Sequence, residues 1–273
     1  MMYEQAVESL QEKYKCIFRE KAGTPGWACK KMNGTDLIHC SIPFVGKNYF
    51  EQPVKLLVYA SAENLNNYNG HIDDDMVAVN RHRVYFEKDN HEAESFPNVH
   101  IQPFNNGALV LVACHIMSRL IDVKETTPSD FLESIAFANY GKYTIDAKKE
   151  KRNTDYAGDP DKLLESQAYI RADIEILKPD YIVMIGQMYN GKGNQKAFID
   201  SIKGDAKVIP IYQITPTTIN NPRTFRKFPP AKLEDLHPSI RQWYGYFNAG
   251  AISSPYFLSV FSYLDAVLME VDS

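Results

Sequence analysis

A three-layer α/β fold, with a central four-stranded parallel sheet between helices, is predicted for this 273-residue chain by three features. Short apolar, β-rich runs stand at residues 55–59, 135–139, 181–185 and 207–212. Patterns of helical period alternate with them, and the later connections are short, which favours parallel strands covered on both faces. At 44% hydrophobic and 23% charged residues, the composition is that of an average globular domain with a sizeable core. The length suits one domain with insertions.

Taken in order, Ala6, Leu10, Tyr14 and Phe18 recur at helical spacing among Glu and Lys, giving an amphipathic helix over 3–21 that Gly23, Pro25 and Gly26 end. Residues 27–53 are rich in turn formers and lead into Lys55-Leu56-Leu57-Val58-Tyr59, the first central strand. Residues 61–104 carry many Asn, Asp and His and read as a long loop region. An apolar helix follows over 105–121, capped by Asn105 or Asn106, then a shorter one opened by Ser129. The second strand ends at Asn139 and a charged loop runs to about 161. Helix 163–177, strand 181–185, helix 195–202 and strand 207–212 complete the alternation. Residues 218–254 read as a Pro-rich inserted loop region, and an apolar helix closes the chain over 255–271.

The formal net charge of -4 gives no overall attraction to phosphate, so any nucleic-acid partner must be held by a local patch. No apolar run reaches the roughly 18 to 20 residues of a membrane span, and residues 1–20 are charged throughout; a cytoplasmic protein without membrane contact is expected. Cys16, Cys29, Cys40 and Cys114 lack metal-ligand spacing and read as ordinary reduced cysteines; no metal site and no cofactor are expected.

In an open parallel sheet, ligands bind outside the carboxyl ends of the strands. The segments to examine are therefore Ser61-Ala62-Glu63-Asn64, Asn139-Tyr140-Gly141-Lys142, Gly186-Gln187 and Gln213-Ile214-Thr215-Pro216-Thr217. All are polar and turn-prone. Glu63 and Ser61 are the candidate catalytic residues, against the commoner reading of Glu63 as a solvated loop carboxylate. Asn64, Asn139, Thr215, Thr217 and Gln187 are candidates for holding a base or other ligand through paired donors and acceptors. Lys142, Lys149 and Arg152 are candidate phosphate contacts, as are Arg223, Arg226 and Lys227, against the commoner reading of a solvated face.

Over residues 42–217 the order of motifs resembles the uracil-DNA glycosylase superfamily. Ile42-Pro43-Phe44-Val45-Gly46 before a strand and Ala60-Ser61-Ala62-Glu63-Asn64 after it look like the lead-in and first motif. Phe137 to Lys142 is similar to the Asn-x-x-Lys loop, and Ile170 to Gly186 to the helix, turn and strand that follow. The resemblance implies a flipped-out base held in a cleft, with an acid or amide in the first motif and a His in a later His-Pro-Ser motif. By register Ser61 takes the place of the usual Gln or Glu and Glu63 that of a Pro, so neither catalytic acid is in line. His237-Pro238-Ser239 matches the later motif in letters, but it lies about twenty residues beyond the place after the last strand, where Thr215-Pro216-Thr217 stands. The iron-sulfur branch needs a Cys where Tyr143 stands and another before the third strand, so no cluster is expected.

These residues imply a divergent member that binds a nucleobase, nucleotide or single-stranded nucleic acid, with weak or altered N-glycosidic hydrolysis. A non-catalytic binding or sensing protein and a small-molecule nucleoside or nucleotide hydrolase are the alternatives.

Overall fold

The computed structural model describes residues 1–21, 31–32, 36–37, 42–64, 106–121, 128–145, 160–190, 195–221, 223–246 and 254–272. Its centre is a five-stranded mixed sheet. Helix α1 (Tyr3–Lys21) precedes a small antiparallel pair, β1 (Lys31–Met32) and β2 (Asp36–Leu37), and then β3 (Phe44–Val45) and β4 (Leu56–Asn64). Next come α2 (Asn106–Leu120), α3 (Pro128–Leu132), β5 (Ala136–Ile145), α4 (Pro160–Leu177) and β6 (Tyr181–Ile185). The chain continues through α5 (Gly186–Asn190), α6 (Lys196–Ile202), β7 (Lys207–Ile211), α7 (Pro216–Asn220), α8 (Pro238–Tyr246) and α9 (Phe257–Asp272).

The sheet order is β3-β5-β4-β6-β7. Four of these strands are parallel, as the sequence predicts, but β3 adds a fifth, antiparallel to β5, which makes the sheet mixed. Two residues are too few to announce a strand by alternation, so β3 has no sequence signal. It is fixed by its surroundings: Gly46 N donates to Ile135 O at 2.9 Å, Asn48 N to Glu133 O at 2.9 Å and Lys47 N to Glu133 Oε2 at 2.7 Å.

Strands β4 and β5 also run further than their apolar runs suggest. Ser61-Ala62-Glu63-Asn64 and Asn139-Tyr140-Gly141-Lys142, expected as loops beyond strand ends, lie within strands that pair with each other up to Asn64↔Ile145. Polar side chains do not prevent this, because each strand supplies the other's backbone partners. The register shifts between Ala62, opposite Gly141, and Glu63, opposite Thr144, leaving Lys142 and Tyr143 as a bulge in β5.

Each face of the sheet has its own core. On one, Leu56, Val58, Phe137, Val183, Ile209 and Ile211 pack with α2 and α9. On the other, Leu57, Tyr59, Ala138, Tyr140, Ile182 and Met184 pack with α1 and α4. Helix α1 docks through a helical stripe, Ala6, Leu10, Tyr14 and Ile17, all buried. Helix α4 stops at Lys178, whose left-handed φ of 47° and following Pro179 end the helical run. Within residues 218–254, read from the sequence as an inserted loop region, the described residues include α8, and Ile219, Phe225, Leu236 and Ile240 are buried in the core beside α2.

A buried histidine staples α2 to α9. His115 Nε2 lies 2.8 Å from Asp265 Oδ1, and Arg119 grips the same carboxylate with both Nε and Nη2 at 3.0 Å. Burial lowers the His115 pKa below its ordinary 6.5, against the pull of Asp265, so the folded protein favours the neutral ring. Burial also tends to raise the Asp265 pKa, but hydrogen bonds from His115 and Arg119 outweigh it and hold the carboxyl below its ordinary 3.8. Below about pH 6.5 the unfolded chain takes up a proton that folded His115 resists, so stability falls as pH drops; the Asp265 contribution is lost further down, below about pH 3.8. His115→Gln is expected to flatten the loss between about pH 7.5 and about pH 5.5, read from denaturation midpoints. An unchanged slope would assign that loss to other groups.

Candidate functional site

Strand order reverses beside β4: the chain passes from β4 to β5 on one side, then crosses to β6 on the other. In parallel α/β sheets such a switch point opens a crevice at the carboxyl ends, since the two connections leave in opposite directions. Here β4 pairs with β6 only from Leu56 to Val58 and beyond that pairs with β5 alone.

The sequence candidates distribute around this edge. The backbone of Ser61, Glu63 and Asn64 runs along β4 past the point where β6 leaves it; their side chains lie outside the described residues. Asn139, opposite Ala60, is half-buried within β5. Gln187 is exposed in the first turn of α5, directly after β6. Beyond β7, Thr215 caps α7: its hydroxyl accepts from Thr218 N at 3.2 Å and sits 2.9 Å from Thr218 Oγ1. Thr217 is exposed in the first turn of α7. The structure thus brings Asn139, Gln187, Thr215 and Thr217 to the carboxyl side of the sheet. Lys149 and Arg152 lie outside the described residues.

Two candidates have structural roles. His237 sits at the start of α8, where Nδ1 accepts from Ser239 N at 3.2 Å, and its ring meets Phe131 edge-on at 4.9 Å. This is a helix-capping arrangement. Lys142, expected to face phosphate, is 1% exposed, with Nζ 2.9 Å from Asp173 Oδ2 in α4. A cation sunk against a carboxylate in the core does not present itself to a polyanion at the surface.

Around this pair sequence reasoning missed a network. Tyr14 OH of α1 donates to Asp173 Oδ1 at 2.6 Å and Tyr59 OH of β4 to Oδ2 at 3.1 Å. The Lys142 ammonium lies 5.3 Å from the Tyr14 ring centre and 5.9 Å from that of Tyr59. Burial pushes the Asp173 carboxyl above its ordinary value, while the charge of Lys142 and the three donors oppose that shift. Nearer the carboxyl edge, Ser166 Oγ accepts from Lys142 N at 2.9 Å, and buried Gln195 accepts from Tyr140 OH and Gln167 Nε2, both at 3.1 Å. These bonds tie β4, β5, α1, α4 and the start of α6 into one rigid wall.

Open concavities of about 520 and 570 Å³ lie elsewhere. The first is lined by Lys178 to Tyr181 and Ile202 to Lys207 at the amino ends of β6 and β7, the second by Tyr189, Lys196 and Lys207 beside them. Of their lysines, Lys203 donates to Ala206 O, Lys207 pairs with Asp272 and Lys196 with Asp200, while Lys178 is exposed. Among the described residues, no group of three or more His, Cys, Asp or Glu is placed to hold a metal, and no helix is long and apolar enough to cross a membrane.

No protein family model, curated protein or solved structure matches this chain.

Proposed function

We propose that this protein is a divergent uracil-DNA glycosylase-like protein of the cytoplasm, which binds a nucleobase, nucleotide or single-stranded nucleic acid in the crevice between β4 and β6, with weak or altered N-glycosidic hydrolysis. The observation that carries the reading is the switch point itself: β4 leaves β6 after Val58 at the place where parallel α/β sheets take their ligands. The motif order read from the sequence adds to it, since all four segments fall on the four parallel strands or directly after them. Asn139, Gln187 and Thr217 supply amide and hydroxyl groups suited to the edge of a base.

A second reading, binding without catalysis, is favoured by His237, whose imidazole caps α8.

The test is to incubate the protein with oligonucleotides carrying uracil, hypoxanthine or xanthine, to cleave abasic sites with hot alkali, and to measure binding of the same oligonucleotides by anisotropy. Scission by the wild type and none by Glu63→Gln identifies a hydrolase with a displaced acid. Binding without scission at enzyme excess leaves the second reading. Neither binding nor scission refutes both.

A further inference from the structure

Between Asp205 and Glu234 the chain contains no carboxylate but five cations, Lys207, Arg223, Arg226, Lys227 and Lys232, in a protein whose net charge is -4. Lys207 is occupied by Asp272. Arg223, Arg226 and Lys227 are all exposed in the turn after α7, and among the described residues none of them forms an ion pair with a carboxylate. The turn is not loose. Phe225 is fully buried and meets the rings of Tyr212 at 5.8 Å and Tyr263 at 5.4 Å, while Phe228 meets Tyr263 at 5.2 Å. Arg226 lies 4.8 Å over the Tyr256 ring and donates to its hydroxyl.

The cations therefore stand on a packed aromatic base, and Tyr212 is its exposed member. It directly follows β7, is 43% exposed and stacks on Tyr263 at 5.1 Å and 26°, while its backbone N donates to Tyr263 OH at 2.9 Å. A ring fixed this way is a ready stacking surface, with little side-chain freedom left to lose on binding. It lies two strand spacings from β4, about 10 Å, at the same end of the sheet as the crevice.

We infer that Tyr212 and the Arg223–Lys227 turn form a track for single-stranded nucleic acid leading away from the crevice, with Tyr212 stacking on a base and Arg223, Arg226 and Lys227 contacting phosphates. Phosphate alone would need only the cations. The rigid exposed ring beside them matches a polyanion that carries aromatic bases, and a single strand offers both at once. The inference rests on the crevice reading above only in naming where the strand leads.

The test compares the affinity of the wild type for thymidine 5′-monophosphate, oligothymidylate of about 20 nucleotides and a duplex of the same length with that of R223A/R226A/K227A and of Tyr212→Ala. Because the three cations are exposed and Arg226 gives up its contact with Tyr256, the triple variant should stay folded, with a melting temperature only slightly below that of the wild type. The expected results are preference for the single strand over the duplex, a loss of about tenfold in oligothymidylate affinity in each variant, and a logarithmic salt slope shallower by about 2 in the triple variant, from three lost phosphate contacts. Mononucleotide affinity should not change in the triple variant. Equal oligothymidylate affinity and salt slope in wild type and triple variant overturn the track, as does displacement of the oligonucleotide by polyglutamate of equal charge as readily as by unlabelled oligothymidylate. Oligothymidylate binding that depends on the turn, without any mononucleotide binding, upholds the track while removing the crevice as a base site.

Discussion

Asp173→Ala is expected to destabilise the protein by about 3–5 kcal/mol, the cost of breaking a buried charge pair from one side. Lys142 has nowhere else to place its charge: it is 1% exposed, wedged between the rings of Tyr14 and Tyr59. The same change leaves the hydroxyls of Tyr14 and Tyr59 without the acceptor they share. Lys142→Met should cost less. Asp173 would keep both tyrosine donors and, already raised in pKa by burial, can take a proton and become neutral. The sign follows from that shift: a carboxyl whose folded pKa lies above its unfolded value contributes stability at low pH and loses it as pH rises through the folded pKa. Lys142→Met should therefore be more stable, relative to wild type, in mild acid than at alkaline pH. Urea midpoints of the two variants and of K142M/D173A decide the matter. An Asp173→Ala loss below about 1 kcal/mol, or simple additivity in the double variant, would mean that the pair is not coupled as its geometry indicates.

Gly46→Ala is expected to cost about 3 kcal/mol, the upper end of what overpacking usually costs. A Cβ there would fall 2.2 Å from the backbone oxygen of Glu133 and 2.3 Å from its carbonyl carbon. These are main-chain atoms, held by the hydrogen bond from Asn48 N to Glu133 O and, two residues on, from Gly46 N to Ile135 O, and no side-chain rotation clears them. The cost is steric. Gly204→Ala makes the comparison, because Gly204 has a left-handed φ of 58° and open space around its Cβ position, so it carries only backbone strain, about 1 kcal/mol. Thermal melting of both variants, with hydrogen exchange at Phe44 and Val45, should show β3 detaching in Gly46→Ala alone. Full protection of those amides in the Gly46 variant would contradict this account.

Much of the scaffold can be read from periodicity. The stripe Ala6, Leu10, Tyr14 predicts α1, the apolar run Tyr181–Ile185 predicts β6, and both stand where expected, with α2, α4 and α9. Strand ends were harder. Ser61, Glu63, Asn64, Asn139 and Gly141 look like loop residues, and only the partner strand makes them extended, which no local window contains. The Lys142–Asp173 pair does leave a trace in the sequence. Asp173 continues the buried helical stripe after Tyr169 and Ile170, and Lys142 continues the alternation Ala138, Tyr140, so each is a charged residue at an interior position. One such residue suggests a ligand site; two on facing elements mean a pair. His237 was legible in its lesser role, since a residue before Pro at a helix start is well placed to cap.

The docking of α1 bears on how the chain assembles as it is made. The hydroxyl of Tyr14 finds its acceptor 159 residues later, at Asp173, and the apolar stripe of α1 lies against α4 and β4. At roughly 5–20 residues per second, α1 leaves the ribosome about 10–30 seconds before α4 exists to cover it. Through that interval an amphipathic segment with four buried-to-be residues is open to solvent and to other chains. The contact between α1 and α4 thus forms only once the strands and helices between them have been made, which sets the docking of α1 late relative to its own synthesis.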